Sequence, residues 1–204
     1  MAEIKTPFLA TAHHYEQLGD HAEQYAGLLT YVVLEAADLF TPIQKRTAMA
    51  ALPDQGLQRS AQTVIDTLEA AGEQRVENWR NRVRPFIETI WPQAAARRTR
   101  AISEKFARIC IASGDAFEEA YATVRPWLMS SDQPSNVTEE LAESRLCATF
   151  PETALGLLNS IIANELQWPP SKLAECLDQI RGARSELEDD VRYRRLNEVM
   201  RRWE

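Results

Sequence analysis

A five-residue pattern that occurs twice constrains the fold of this chain more than any other feature. Residues 83–87 read Val-Arg-Pro-Phe-Ile, and residues 124–128, forty-one positions later, read Val-Arg-Pro-Trp-Leu. Each copy ends a segment of helical periodicity that follows a glycine, Gly72 in the first copy and Gly114 in the second. We therefore interpret the chain as repeated units of helix, glycine turn and helix, each closed by this pattern.

The composition favours an all-α fold. The chain of 204 residues is 45% hydrophobic and has only 7 glycines, and Ala and Leu dominate its apolar residues. Helix pairs of about forty residues are typical of HEAT-like or armadillo-like arrays, in which stacked pairs bury a continuous core. We predict a single domain over residues 1–204, a short array of antiparallel helix pairs in a right-handed superhelix, with an irregular helical bundle as the alternative.

Local signals predict the main helices and one loop. Hydrophobic periodicity predicts helices over residues 13–39, 41–52, 55–71 and 93–113, the first interrupted at Gly19. The second should begin with a capping box, because Thr41 is followed by Pro42 and, three residues after the cap, by Gln44. The cluster of Ser, Asp, Pro and Asn at residues 130–136 predicts a hinge loop.

The cysteines fall at matching positions in three successive helix pairs. Because Cys110, Cys147 and Cys176 are odd in number and form no Cys-x-x-Cys motif, we expect neither a disulfide framework nor a structural zinc site. Their spacing predicts small buried residues where helices approach closely. Free thiols fit a reducing cytoplasm, and the sequence shows neither a signal peptide nor a membrane-spanning run. We predict a cytoplasmic protein without a membrane partner.

Short motifs between Trp79 and Trp203 carry a resemblance. They are Val-Arg-Pro-Phe at 83–86, Ile-Cys at 109–110, Gly-Asp-Ala-Phe at 114–117, Phe-Pro-Glu-Thr-Ala-Leu-Gly-Leu-Leu at 150–158 and Asp-Val-Arg-Tyr-Arg-Arg-Leu at 190–196. With these motifs the chain resembles the helical C-terminal portion of large multidomain bacterial proteins, some of them of defence type. The resemblance implies an appended α-helical accessory domain and no active site.

No catalytic motif is present, so we expect a non-enzymatic protein without cofactor or metal. The chain has no Gly-x-Ser-x-Gly elbow and no glycine-rich phosphate loop. His13, His14 and His21 lie near carboxylates, but their spacing matches no zinc motif, and a solvated helix face explains them better. Adjacent carboxylates such as Glu118 and Glu119 point in different directions on a helix, so they are interpreted as solvated surface.

The charge distribution suggests an alternative function. The net charge of −7 hides a basic band, residues 75–108, with 9 basic and 3 acidic side chains between two acidic blocks. Arginine binds phosphate through paired N–H groups and stacks on bases, so the basic band predicts contact with nucleic acid as the alternative. The candidate phosphate contacts are Arg75, Arg80, Arg82, Arg97, Arg98, Arg100 and Lys105.

Two tryptophans are candidates for contact with a partner. Trp91 and Trp168 each precede a proline at the end of a unit, so we expect both indoles to be partly exposed. The leading interpretation is a protein-interaction or scaffold module, an accessory domain or partner of a larger bacterial assembly. Its partner would be another protein or another domain of a larger chain.

Overall fold

The computed structural model describes residues 21–36, 39–164 and 168–202. Within these ranges the chain is helical and has no β-strand, which confirms the predicted all-α class. Its contacts divide it into two compact units, Met1–Arg98 and Thr99–Glu204. The expected single domain over residues 1–204 stays a prediction.

The described part of the first unit consists of helices that pack around the contact between two of them. It forms α1 (Ala22–Glu35), α2 (Pro42–Ala50), α3 (Asp54–Ala70), α4 (Arg75–Asn78), a π-helical turn (Trp79–Val83) and α5 (Arg84–Thr89). The main contact joins α1 to α3. Thr30 and Ser60 are fully buried in these helices, and their hydroxyl oxygens lie 2.6 Å apart. Each hydroxyl therefore has a partner inside an otherwise apolar core.

Local signals placed the helices of this unit well. The Thr41 hydroxyl accepts the Gln44 N–H at 3.3 Å, and the Gln44 side chain accepts the Thr41 N–H at 3.0 Å, so the predicted capping box is confirmed. The predicted helix over 55–71 agrees with α3 to within one residue at each end. The predicted helix over 13–39 is seen from α1 onward, and its expected break at Gly19 lies outside the described residues.

The predicted glycine turns are confirmed in both copies of the sequence pattern. Gly72 and Gly114 have φ angles of 53° and 59°, a left-handed backbone that glycine adopts without a Cβ clash. Each glycine opens a 3₁₀ turn that leads into the next helix. The two Val-Arg-Pro copies therefore follow the same local turn.

The two copies differ by one residue, and the π-helical turn accommodates the difference. Val83 lies eleven residues after Gly72, whereas Val124 lies ten after Gly114. In the first copy the Arg84 N–H bonds the Trp79 carbonyl, five residues back, which fits one extra residue into the helix. Both valines are fully buried as a result. The first copy does not end its helix as predicted, because α5 continues beyond the pattern to Thr89.

The described part of the second unit contains seven α-helices. It forms α6 (Arg100–Ala112), α7 (Phe117–Val124), α8 (Pro134–Glu143), α9 (Leu146–Thr149), α10 (Pro151–Ile161), α11 (Leu173–Ala183) and α12 (Val191–Arg201). Helix α6 contacts α7 and α8, and α8 contacts α11. Helix α10 contacts both α7 and α12.

Two boundaries differ from the sequence prediction. The helix predicted over 93–113 begins only at Arg100, because the Thr99 hydroxyl caps the Ile102 N–H at 3.3 Å and fixes the start there. All three cysteines are buried and free. Cys147, however, lies in the short helix α9, because Arg145 adopts a left-handed backbone with φ 59° that separates α9 from α8.

Candidate interaction surface

Five cations of the basic band form ion pairs with carboxylates. In the first unit Arg82 lies 2.5 Å from Glu35 and Arg97 lies 2.9 Å from Asp54. These pairs are Arg82–Glu35, Arg84–Glu88, Arg97–Asp54, Arg100–Asp132 and Arg108–Glu140. Each pair offsets the positive charge that a phosphate would need.

The remaining predicted phosphate contacts differ in how far they are exposed to solvent. Arg80 and Arg98 are exposed and Lys105 is half-buried. The Nε atom of Arg75 is buried and has no hydrogen-bond partner within the described ranges. Nucleic-acid binding through these residues stays a prediction.

The expected exposure of Trp91 is wrong. Its side chain is only 2% exposed and lies edge-on to the Phe86 ring, with ring centroids 6.0 Å apart. The backbone N–H of Trp91 donates to the Phe86 carbonyl, five residues back, at 2.9 Å. The chain therefore turns before Pro92 and directs the indole inward. Trp91 is therefore a core residue and does not offer a surface to a partner.

The expected exposure of Trp168 is confirmed. Its side chain is 73% exposed, the most exposed tryptophan among the described residues. An indole in this setting is unusual, because tryptophan is highly buried on average. The residue borders a groove of about 930 Å³ in the second unit. We call this the Trp168 groove.

The segment before α8 and the segment before α11 form the walls of the Trp168 groove. One wall is the segment 130–136 and the other runs through Ala163 and the segment 168–170, with Arg100 at one end. Sequence reasoning identified both loops separately, from the polar cluster and from Trp168-Pro169. It did not bring them together, since no local signal reports that two loops are neighbours.

Hydrogen bonds fix the first wall. Ser131 is buried, and its N–H bonds the Ile161 carbonyl at 2.8 Å. Its hydroxyl accepts the Gln133 N–H at 3.1 Å, and α8 begins immediately afterwards at Pro134. Segment 130–136 is therefore anchored at its start and helical in its second half, and a hinge at this segment stays a prediction.

The second wall is tied to the first. The Ser171 N–H donates to the Ser135 hydroxyl at 3.2 Å, and the Thr138 hydroxyl donates to the Ser171 carbonyl. The Ser171 hydroxyl in turn donates to Glu139. These bonds join the start of α8 to the residues that precede α11, so the two walls form one preformed surface.

Carboxylates outnumber cations around the Trp168 groove. Arg100 and Asp132 pair at 2.7 Å and largely cancel each other. Glu104 accepts from Asn136 of the wall at 3.1 Å, and Glu139 accepts from Ser171, so two further carboxylates stand at the rim. The surface beside Trp168 is consequently acidic.

A lysine beside the rim reports the same field. The pKa of Lys172 is raised by its hydrogen bond to Glu175, by the charge of Glu175, and further by Glu143 and Glu139. Since several carboxylates act on one ammonium group, its single positive charge leaves them in excess.

Other titratable groups in the described ranges have structural explanations. Burial raises the pKa of the Cys110 thiol, and the hydrogen bond with Cys176, followed by burial, raises the pKa of the Cys147 thiol, so neither is a reactive thiolate. Hydrogen bonds from the Arg192 side chain lower the pKa of Asp190, the N-cap of α12, to about 2. No three His, Cys, Asp or Glu side chains of the described residues are placed to share a metal. His21 is exposed, and His13 and His14 lie outside the described residues.

None of the described helices combines the length and hydrophobicity needed to cross a bilayer. Comparison of the chain with protein-family models, with curated proteins and with solved structures gives no significant match. The resemblance to large bacterial proteins therefore extends no further than an all-helical architecture.

Proposed function

We propose that this chain is a non-enzymatic protein-interaction module, an accessory domain or partner of a larger bacterial assembly. The Trp168 groove carries the proposal. An exposed indole at the edge of a groove supplies a large contact area at low entropic cost, since it has two rotatable bonds. Walls already held by hydrogen bonds reduce the ordering cost of binding a partner.

We further propose that the helices of the second unit form three stacked pairs in a HEAT-like array. Polar contacts between successive pairs support this proposal, because several of them join residues 32 positions apart. They are Arg100–Asp132, Glu104–Asn136, Arg108–Glu140, Glu139–Ser171 and Glu152–Arg184. A recurring spacing of this kind is what stacking of similar units produces. In such an array the loops between pairs lie along one edge, where the groove lies.

The ion pairs of the basic band favour a protein partner over nucleic acid. Binding a phosphate backbone depends on cations that release counterions, and a cation that already faces a carboxylate gains less from a phosphate. Arg97 and Arg100, two of the predicted contacts, are paired in this way. Nucleic acid stays the alternative, and the experiment below distinguishes the two.

The test is affinity capture from a nuclease-treated bacterial lysate, with bound proteins identified and quantified by mass spectrometry. We expect the wild-type chain to retain one protein in near-stoichiometric amount and Trp168→Ala to lose most of it. Tyr31→Ala is the matched control, because Tyr31 is an exposed aromatic residue of the first unit. Failure to retain any protein would overturn the proposal. Nucleic acid retained without nuclease and lost with it would establish the alternative.

A further inference from the structure

We infer that the Trp168 groove binds a basic, extended peptide segment of the partner, with an arginine or lysine side chain of that segment lying against the Trp168 indole. The inference rests on the proposed function and names the chemistry of the partner. It follows from three features of the groove, namely its charge, its aromatic residue and its fixed walls.

The charge at the rim selects the partner. Asp132, Glu104 and Glu139 lie near Arg100, and Glu139, Glu143 and Glu175 act on Lys172, so five carboxylates face two cations. The N-terminus of α8 adds partial positive charge, but that effect falls off within one helical turn. An acidic segment would be repelled here, whereas a basic segment would be attracted. The attraction extends over the Debye length, about 8 Å at physiological salt.

The indole supplies a second reason for a cation. A guanidinium or ammonium group over an indole face is attracted by the ring quadrupole, and tryptophan is the strongest of the aromatic residues in this respect. The Trp168 side chain is 73% exposed, so much of it faces solvent at the edge of the groove. The rim carboxylates would hold such a cation near the ring, so the two interactions reinforce each other.

The fixed walls indicate an extended ligand. The segment 130–136 is held by the Ser131–Ile161 hydrogen bond, and the second wall by Ser171–Ser135. A groove of about 930 Å³ between two anchored loops has room for a short extended segment. A folded partner would therefore present a loop or a terminal segment.

The inference can be tested with three fluorescein-labelled decapeptides of equal length that carry two spaced arginines, two glutamates or two glutamines. Binding would be followed by fluorescence anisotropy at 50 and 300 mM NaCl. We expect the arginine peptide to bind most tightly, with an affinity that falls as salt rises. Equal binding of the three peptides, or preference for the glutamate peptide, would overturn the inference.

Variants at one position separate a cation–π contact from general attraction to an acidic surface. We expect Trp168→Leu to weaken arginine-peptide binding about fivefold and Trp168→Phe to fall between leucine and wild type. In the double variant Glu104→Gln, Glu139→Gln the side chains can still accept the same two hydrogen bonds but carry no charge. This variant should bind the arginine peptide more weakly, and its affinity should depend less on salt. Tyr31→Ala should bind as wild type. Arginine-peptide binding unchanged by Trp168→Leu would place the contact elsewhere.

The two levels of proposal fail differently. Capture of a protein from the lysate together with absence of arginine-peptide binding would overturn the basic-segment inference and leave the interaction module standing. Absence of both would overturn the two together. A single-stranded oligonucleotide that binds in place of the peptide and depends on Trp168 would overturn the inference as well, because stacking without a cation would then explain the exposed indole.

Discussion

The hydroxyl of Ser103 in α6 makes two hydrogen bonds with one residue, Met129. It donates to the Met129 carbonyl at 2.7 Å and accepts the Met129 N–H at 2.8 Å. Met129 lies shortly after the 3₁₀ turn Arg125–Trp127, which follows α7. Its backbone N–H and carbonyl lie outside any helix. One side chain thus satisfies both backbone groups and ties the departing chain to α6.

Replacement of Ser103 by alanine should therefore destabilise the protein. The change leaves a donor and an acceptor without partners in a partly buried site, which costs about 1–3 kcal/mol. Urea unfolding followed by circular dichroism would measure it. Ser160→Ala is the control, because that hydroxyl bonds only the Gly156 carbonyl within its own helix, and it should change stability by less than about 0.5 kcal/mol. Equal effects of the two substitutions would contradict the proposed tie.

Local chemistry explains which features could be predicted from the sequence. The Thr41 capping box and the Gly72 turn depend on a few adjacent residues, so their signals stand in the sequence itself. The burial of Trp91 depends on the hydrogen bond from its backbone N–H to the Phe86 carbonyl, five residues back, and on contact with the Phe86 ring. The preference of a residue before proline for an extended backbone does not predict this burial. The Arg100–Asp132 pair joins residues 32 apart, which no local pattern could reveal.

Two glycine substitutions should have opposite effects, although neither new methyl group would meet an atom within 4 Å. Gly72 has a φ of 53°, so alanine there pays about 1–2 kcal/mol for a left-handed backbone. Gly182 lies in α11, where alanine should stabilise by about 0.5–1 kcal/mol. Differential scanning calorimetry would give both signs. A loss of stability in both variants would show that something other than backbone conformation decides.

Arg195 should not tolerate lysine, even though the charge is kept. Its guanidinium donates to the carbonyls of Asn159 and Ile162 at 3.0 Å each, and to the Asn159 and Asn164 side chains, so it caps the end of α10. An ammonium group cannot reproduce this fork, and we expect Arg195→Lys to lose about 1.5–3 kcal/mol. The exposed Arg201 is the control, with Arg201→Lys close to wild type in thermal denaturation. Equal melting temperatures of both variants would contradict the capping role.

The pH dependence of stability should change when Asp190 is replaced by asparagine. Its carboxylate caps the Arg192 N–H at 2.8 Å and pairs with the Arg192 guanidinium at 2.7 Å, which lowers its pKa from 3.8 to about 2. Because the folded pKa lies below the ordinary one, the stabilisation is complete well above pH 4 and is lost as the pH falls from about 4 towards 2. Asparagine still caps the helix, so only the charge is removed.

At pH 7 we therefore expect Asp190→Asn to be less stable than wild type by about 0.5–1 kcal/mol. The difference should shrink as the pH falls from about 4 to about 2, measured by urea unfolding in buffers of constant ionic strength. Asp189→Asn is the matched control, because the Asp189 side chain is 92% exposed and lies 3.5 Å from its nearest cation, so its effect should be small at every pH. A difference at Asp190 that stays constant across this range would contradict the prediction, because it would show that ionisation of the carboxylate does not cause the stabilisation.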